Sequence, residues 1–331
     1  MKGRRELGRG ERILPGVFRL RLPLPWPGVP HGNAWAVACD GGFVLFDAGM
    51  PGEDAIADLE RALSMCGLRL EQTRLIVCTH AHLDHCGGAA EISRETGAPV
   101  WLHPNHQHLI RMLSSPEAVY ERRIEVARQS GVPEETLTKY MPPSSDSEED
   151  RERIASLAVV EQSKDLVSGV RIASDLGEWV THETPGHSPS HVCLFQPERR
   201  VLISGDHLLG RISLYFDYGS SPDPVGEFLS SLDVVERLGA RLCLPGHGRT
   251  FTDVHAHIRG NRDLVAERLS KIRAALSDGP LTAYEVIPRV YEPGSSRNTH
   301  WLLSKVLSYL THLEGTGAVR RIPGDPERWS A

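Results

Sequence analysis

The chain has 331 residues, a formal net charge of -6, 40% hydrophobic and 24% charged residues. That is enough for one large domain plus a small one, and the composition excludes a collagen-like or wholly disordered chain. The acidic balance argues against a chain-wide nucleic-acid-binding surface, and no apolar run reaches membrane-spanning length. The basic start Met1-Lys2-Gly3-Arg4-Arg5 lacks the apolar stretch of a signal peptide, so a cytoplasmic location is expected. Six cysteines without a Cys-x-x-Cys spacing read as reduced core thiols, with Cys86, directly after His85, as the exception to watch.

Residues 17–24, 34–39 and 43–46 have the spacing of short strands, the last two joined as antiparallel neighbours by Asp40-Gly41-Gly42. Asp47 ends the third strand, either as a turn residue or as a carboxylate that orients a metal-binding histidine. Ile56, Leu59, Ala62 and Leu63 predict a helix over 53–65, with Gly67 as its stop. A buried strand at 75–78 then runs into Thr79-His80-Ala81-His82-Leu83-Asp84-His85. Four ligand-type side chains so close together at a strand end have the density of a metal site; histidines that merely cap a helix start are the alternative. A tight loop here lets His80 and His82 point one way while Asp84 and His85 turn to a neighbouring face, so one segment can feed two ions. Imidazole and carboxylate suit zinc, iron and manganese alike.

Gly87-Gly88 opens a helix to about Glu95, and 99–102 is another strand. Strand and helix alternate, as in an α/β fold with helices packed on sheet faces. From about 104 to 168, Leu109, Ile110, Met112, Leu113, Val119, Ile124, Val126, Ile154 and Leu157 predict a helical insertion, interrupted by a polar stretch at 142–150. His103, His106 and His108 are expected to be exposed polar residues rather than a second metal site. Strands resume at 170–172, 179–183, 191–195 and 201–203, followed by a helix at 224–238 and a strand at 241–244. Three separate strand ends each deliver a ligand-type residue after glycine: Gly186-His187, Gly205-Asp206 and Gly246-His247. Turns alone do not explain that repetition.

These marks, in this order and with Asp47 at an early strand end, resemble the metallo-β-lactamase fold hydrolase superfamily over about residues 13–255. The resemblance implies a four-layer αββα sandwich with the metals at one edge, forming a catalytic domain over 1–254. It implies His80, His82 and His187 on one ion, Asp84, His85 and His247 on a second, and Asp206 bridging both. The cofactors are then two divalent ions, zinc first, with iron or manganese open. A water shared by two close cations becomes a bridging hydroxide nucleophile near neutral pH, while one ion polarises the substrate's carbonyl or phosphoryl oxygen. Asp84 is expected also to take or deliver a proton, as the catalytic residue. His191 resembles the second histidine of the family's Gly-His-x-x-Gly-His segment, with Ser190 where glycine is common, and is read as structural. His207, beside Asp206, is read as backing the ligands or facing substrate.

Residues 255–331 read as a helix at 258–276, a turn at 278–284, a helix at 298–313 and a short basic strand. The pattern resembles the winged-helix tail of the relatives of β-lactamase-like protein 2. From His255 onward eleven Lys or Arg stand against eight Asp or Glu, short of a DNA-binding winged helix's dense phosphate-contacting face. Packing on the catalytic core, where the tail would shape a pocket or a dimer, is the preferred expectation.

The expected activity is hydrolysis of a carbonyl ester: a thioester of the acyl-CoA, acyl-carrier or glutathione kind first, a lactone next. Tyr215 and Tyr218, in the aromatic run after the Asp206 strand, are candidate substrate-binding residues, and the insertion's apolar stripe has two equal readings, a wall roofing the metals or plain core. The alternatives are a single-strand endoribonuclease, which needs basic and stacking side chains leading to the same metals, and a mononuclear iron dioxygenase. The expected partner is a small-molecule acyl ester or thioester, with no nucleic acid and no membrane, and a homodimer stays open.

Overall fold

The computed structural model describes residues 7–26, 28–107, 116–137, 162–292 and 299–331. Strands β1 (Arg9–Leu14), β2 (Val17–Trp26), β3 (Val29–Cys39) and β4 (Gly42–Phe46) form an antiparallel meander. The chain then crosses through helix α1 (Glu53–Met65) to β5 (Thr73–Val77), which lies parallel to β4. Two further parallel strands, β6 (Val100–Leu102) and β7 (Gln162–Asp165), complete a seven-stranded sheet of order β1 to β7. Between β5 and β6 lie a one-turn helix, α2 (Leu83–Cys86), and α3 (Ala89–Thr96). Helices α4 (Pro116–Gln129) and α5 (Glu134–Leu137) precede β7.

The second sheet has five strands in the order β12-β11-β10-β9-β8. They are β8 (Arg171–Ile172), β9 (Trp179–Glu183), β10 (Val192–Gln196), β11 (Val201–Gly205) and β12 (Leu242–Pro245), with α6 (Pro224–Leu238) between the last two. The period-2 alternation of strand side chains sorts the apolar residues into layers. Trp35, Val37, Val44 and Phe46 meet Trp179, Val192, Leu194, Ile203 and Leu244 between the sheets. Ala34, Ala36 and Leu45 face outward onto Ile56, Leu59 and Leu63 of α1 and Ile92 of α3. Cys193, Leu202 and Cys243 face outward the other way, onto Val225, Phe228 and Leu232 of α6. Helix, sheet, sheet and helix are thus stacked as the αββα sandwich expected of this sequence.

The tail consists of α7 (Val254–Leu276), α8 (Ala283–Val290), α9 (Thr299–Gly315) and a hairpin of β13 (Arg320–Ile322) and β14 (Arg328–Ser330). Its start is well signalled: Asp253 caps α7 by accepting from Ala256 N, and Thr282 with Glu285 makes a capping box for α8. Val306, Leu310, Val286 and Trp329 belong to the same apolar cluster as Phe228 and Leu232, so the tail shares a core with the outer face of the second sheet. No described helix is long and apolar enough to cross a membrane.

Several details differ from the sequence expectations. Residues 162–165, placed in the insertion, form β7; their side chains are polar and mostly exposed, so only backbone pairing reveals the strand. Strand β1 went unpredicted because Arg9–Leu14 is largely polar. The tight loop after β5 is short: His82 leads directly into α2, which carries Asp84 and His85. His103 is buried, not exposed, with Nε2 3.0 Å from Glu183 Oε1, while His106 Nδ1 donates to the His103 carbonyl. His108, the stripe Leu109, Ile110, Met112 and Leu113, and the polar stretch 142–150 lie outside the described residues. All six cysteines are free thiols; Cys39 and Cys66 are only half-buried. Burial pushes the Cys86 thiol up to about 12, which leaves it an inert core residue.

Candidate metal centre

The C-terminal ends of β5, β11 and β12 and the loop after β9 meet at one edge of the sandwich. There the ligand-type atoms of His80, His82 and His187 cluster, as do those of His80, His85 and Asp206 and those of Asp84, His85 and His247; each group lies within 4.8 Å. His82 Nδ1 is 3.0 Å from both His80 Nε2 and His187 Nε2. On the other side, His247 Nε2 is 3.4 Å from His85 Nε2 and 3.2 Å from Asp84 Oδ2. Asp206 stands between the groups: Oδ2 is 3.6 Å from His187 Nε2 and 3.3 Å from His247 Nε2, and Oδ1 is 3.4 Å from His85 Nε2. All seven ligand-type residues singled out in the sequence therefore converge.

The outward nitrogens decide what the inward ones present. His85 Nδ1 lies 2.8 Å from Asp47 Oδ2, His82 Nε2 2.8 Å from Asp217 Oδ2, His187 Nδ1 3.1 Å from the Tyr215 carbonyl, and His247 Nδ1 2.9 Å from the His31 carbonyl. Each partner is an acceptor, so each imidazole holds its proton outward and turns a lone pair inward. For His80 the relay is one atom longer. The Thr79 hydroxyl donates to Asp47 Oδ2 at 3.0 Å, and its oxygen is left to accept from His80 Nδ1 at 3.0 Å. Asp47 also accepts from the Thr79 backbone N–H at 2.7 Å, and holds this position with φ 62°.

The donor set fits cations. Lone pairs aimed at one another this closely repel unless a positive charge lies between them, and ligands bonded at 2.0–2.1 Å to a tetrahedral ion stand about 3.3 Å apart. Among the described residues, Asp206 Oδ1 is buried without a hydrogen-bond partner. Gly246 leaves the space open: a Cβ there would collide with Asp206 Oδ1 and lie 2.7 Å from His85 Cε1. At Gly205, with φ 46°, a Cβ would meet His191 Nε2 and Thr79 Oγ1 at 2.7 Å each. Electrostatics are divided within the site. Burial, with His85 and His82 beside it, holds His80 well below the usual histidine range. At Asp84 burial favours the neutral acid, but positive charge at His85 and His247, carried by the protonated rings or by a cation held on their inward lone pairs, outweighs it and keeps the carboxyl ionised.

The remaining predicted residues surround this centre. His191 Nδ1 is 2.8 Å from Thr184 Oγ1, and its Nε2 accepts from the backbone N–H of Asp206 at 3.1 Å, so it pins the strand end that presents Asp206. His207 is buried with its ring 4.9 Å from that of Phe228. Tyr215 sets its ring 6.3 Å from His82 and 5.8 Å from His187, and burial pushes the pKa of its hydroxyl up. The backbone N–H of Tyr218 donates to Ser304 Oγ, and its partly buried ring packs against the apolar cluster shared with the tail. Sequence reasoning passed over Asp217, Thr79 as an orienting group, and Trp301 of α9. Trp301 lies 6.2 Å from Tyr215 and 6.5 Å from Trp26, which extends an aromatic wall outward from the His82 side. A carboxylate inside the run Leu214-Tyr215-Phe216-Asp217-Tyr218 was the available signal for Asp217.

The metallo-beta-lactamase superfamily model matches residues 27–247. The chain is similar to the probable metallo-hydrolase YqjP of Bacillus subtilis, 25% identical over 315 residues, covering 92% of this chain and 93% of that protein. It is 25% identical over 229 residues to the acyl-coenzyme A thioesterase MBLAC2 of Bos taurus, covering 66% of this chain and 74% of that protein. The crystal structure of a metallo-beta-lactamase family protein from Thermus thermophilus matches with a TM-score of 0.81 at 28% identity, over 96% of this chain and 99% of the other. The chain belongs to the metallo-β-lactamase superfamily and is a metallo-hydrolase.

Proposed function

We propose that this chain hydrolyses a carbonyl ester, with a thioester as the substrate class, using two divalent ions, zinc first. His80, His82 and His187 would hold one ion, Asp84, His85 and His247 the other, and Asp206 both. Bound there, the pair lowers the pKa of water and polarises the substrate carbonyl. The observation that carries the proposal is the convergence of these seven side chains beside an aromatic wall. Tyr215, Trp301 and Trp26 offer ring faces on the His82 side, the kind of surface an acyl chain desolvates against. The likeness to a protein named as an acyl-coenzyme A thioesterase supports the thioester class.

The protein's own groups then have separable tasks. Asp84, kept ionised by the positive charge gathered at His85 and His247, is the carboxylate able to accept a proton as the nucleophile forms. Asp47 and Asp217 hold the imidazoles in the tautomer that leaves an inward lone pair. His191 fixes the backbone of Asp206.

The test is a turnover panel with the metal-loaded protein: an acyl thioester, a lactone, a β-lactam and labelled single-stranded RNA. Thioester cleavage is expected to dominate, and Asp84→Ala is expected to lower it by at least about a hundredfold, at the lower end of what general acid–base catalysis contributes, with the far-ultraviolet circular dichroism unchanged. RNA cleavage without ester turnover would show the nuclease alternative to be correct.

A further inference from the structure

The face of β2 that turns toward the second sheet should be apolar, and at Val17 it is, yet further along the same face stand Arg19 and Arg21. Arg19 is 6% exposed and is matched across the β1–β2 ladder by Glu11, with Nη1 3.2 Å from Oε1. The next pair on that face is Arg9 opposite Arg21. Like charges directly opposite in a ladder oppose pairing, and neither arginine has a carboxylate partner among the described residues. Arg21 Nη2 lies 3.3 Å from His31 Nδ1 on β3. A guanidinium only donates, so His31 Nδ1 accepts and the imidazole proton sits on Nε2. Among the described residues, His31 Nε2 is buried without a hydrogen-bond partner, and so are Arg21 Nε and Arg19 Nε. Arg9, Arg21 and His31, with Leu7 and Pro23, line a cavity of about 70 Å³.

Orphaned donors, an uncompensated cation pair and a small cavity share one complement, a group that only accepts and carries negative charge. We propose that Arg9, Arg21 and His31 form an oxyanion site that takes a phosphate or carboxylate group. A water molecule would satisfy a donor but leave the Arg9–Arg21 repulsion in place. The site adjoins the metal centre, because the His31 carbonyl is the group that holds His247 Nδ1. Resting on the thioester reading, the oxyanion is the charged end of the substrate's thiol half, the part that leaves when the acyl bond is cut.

Thermal midpoints of the metal-loaded protein with added inorganic phosphate, and separately with acetate, test the site without reference to turnover. Phosphate or acetate should raise the midpoint of the wild type, and the rise should fall by half or more in Arg21→Gln and in Arg9→Gln. Arg9 is exposed, so its variant carries the test if Arg21→Gln fails to fold. Equal rises in the wild type and both variants would place the anion elsewhere and overturn the proposal. The second arm compares kcat/KM for an acyl-CoA with that for a truncated thioester lacking phosphate. The ratio should fall about tenfold in Arg9→Gln, the worth of one charge-assisted hydrogen bond. An unchanged ratio with a lost midpoint rise would overturn the substrate assignment. If no thioester is cleaved while the midpoint rise is still lost in the variants, the oxyanion site stands and the thioester reading falls.

Discussion

Asp217 Oδ2 lies 2.8 Å from His82 Nε2, and that contact decides which nitrogen of His82 carries the proton. Replacing it with asparagine keeps the shape and permits the amide to donate to Nε2, which would move the proton to Nδ1 and block the inward lone pair. Asp217→Asn is therefore expected to weaken metal binding by about 10- to 100-fold, as loss of an orienting partner does elsewhere; competition against a calibrated chelator measures it, and wild-type affinity would rule out the orienting role. The convergence of His80, His82, Asp84, His85, His187, Asp206 and His247 was legible in the sequence because each stands at a strand end, densely spaced or preceded by glycine. Their orienting partners were much less so. The carbonyls of His31 and Tyr215 belong to no residue type, and Asp217 looks like a solvated carboxylate until the chain folds it 2.8 Å from His82.

At the scale of elements, the centre depends on how closely the ends of β11 and β12 approach. Their parallel register shifts between Ile203 and Gly205, and Gly246 N donates to the Gly205 carbonyl at 2.8 Å. Gly246→Ala places a methyl group against Asp206 Oδ1 and His85, two groups on the candidate ions. The variant should fold, with unchanged far-ultraviolet circular dichroism, but retain less than half of the metal measured by elemental analysis. Full metal content would show that the strand ends have room to part. Helices α1 and α6 were predicted to the residue because apolar spacing and flanking glycine or proline agree there. Strands β1 and β7 were not, since an edge strand whose side chains meet solvent carries no burial pattern to read.

On the scale of the whole molecule, the tail is part of the fold's support. Ser304 Oγ of α9 donates to the Phe216 carbonyl at 2.9 Å, and His312 Nδ1 lies 2.9 Å from Asp223 Oδ2, the carboxylate group that caps α6. Trp329, 1% exposed at the end of the chain, sits in the same cluster as Phe228 beneath the second sheet. Trp329→Ala is expected to destabilise the entire protein by about 3–5 kcal/mol, as large-to-small core changes do. Denaturant unfolding followed by tryptophan fluorescence and by circular dichroism should stay coincident, whereas two separated transitions would make the tail an independent unit. Helical periodicity in the sequence showed which faces of the tail are apolar, but only the packing shows the surface they cover.

Asp47 acts on both sides of the centre at once, through His85 directly and through Thr79 on His80. An ion arriving on either side thus finds its own imidazole set by a carboxylate that it in turn helps to immobilise for the other. Two ions loading as proposed would be linked, and linkage is reciprocal. Native mass spectrometry during metal titration should show empty and doubly loaded protein with little singly loaded species, and Asp47→Ala should restore the single-ion form.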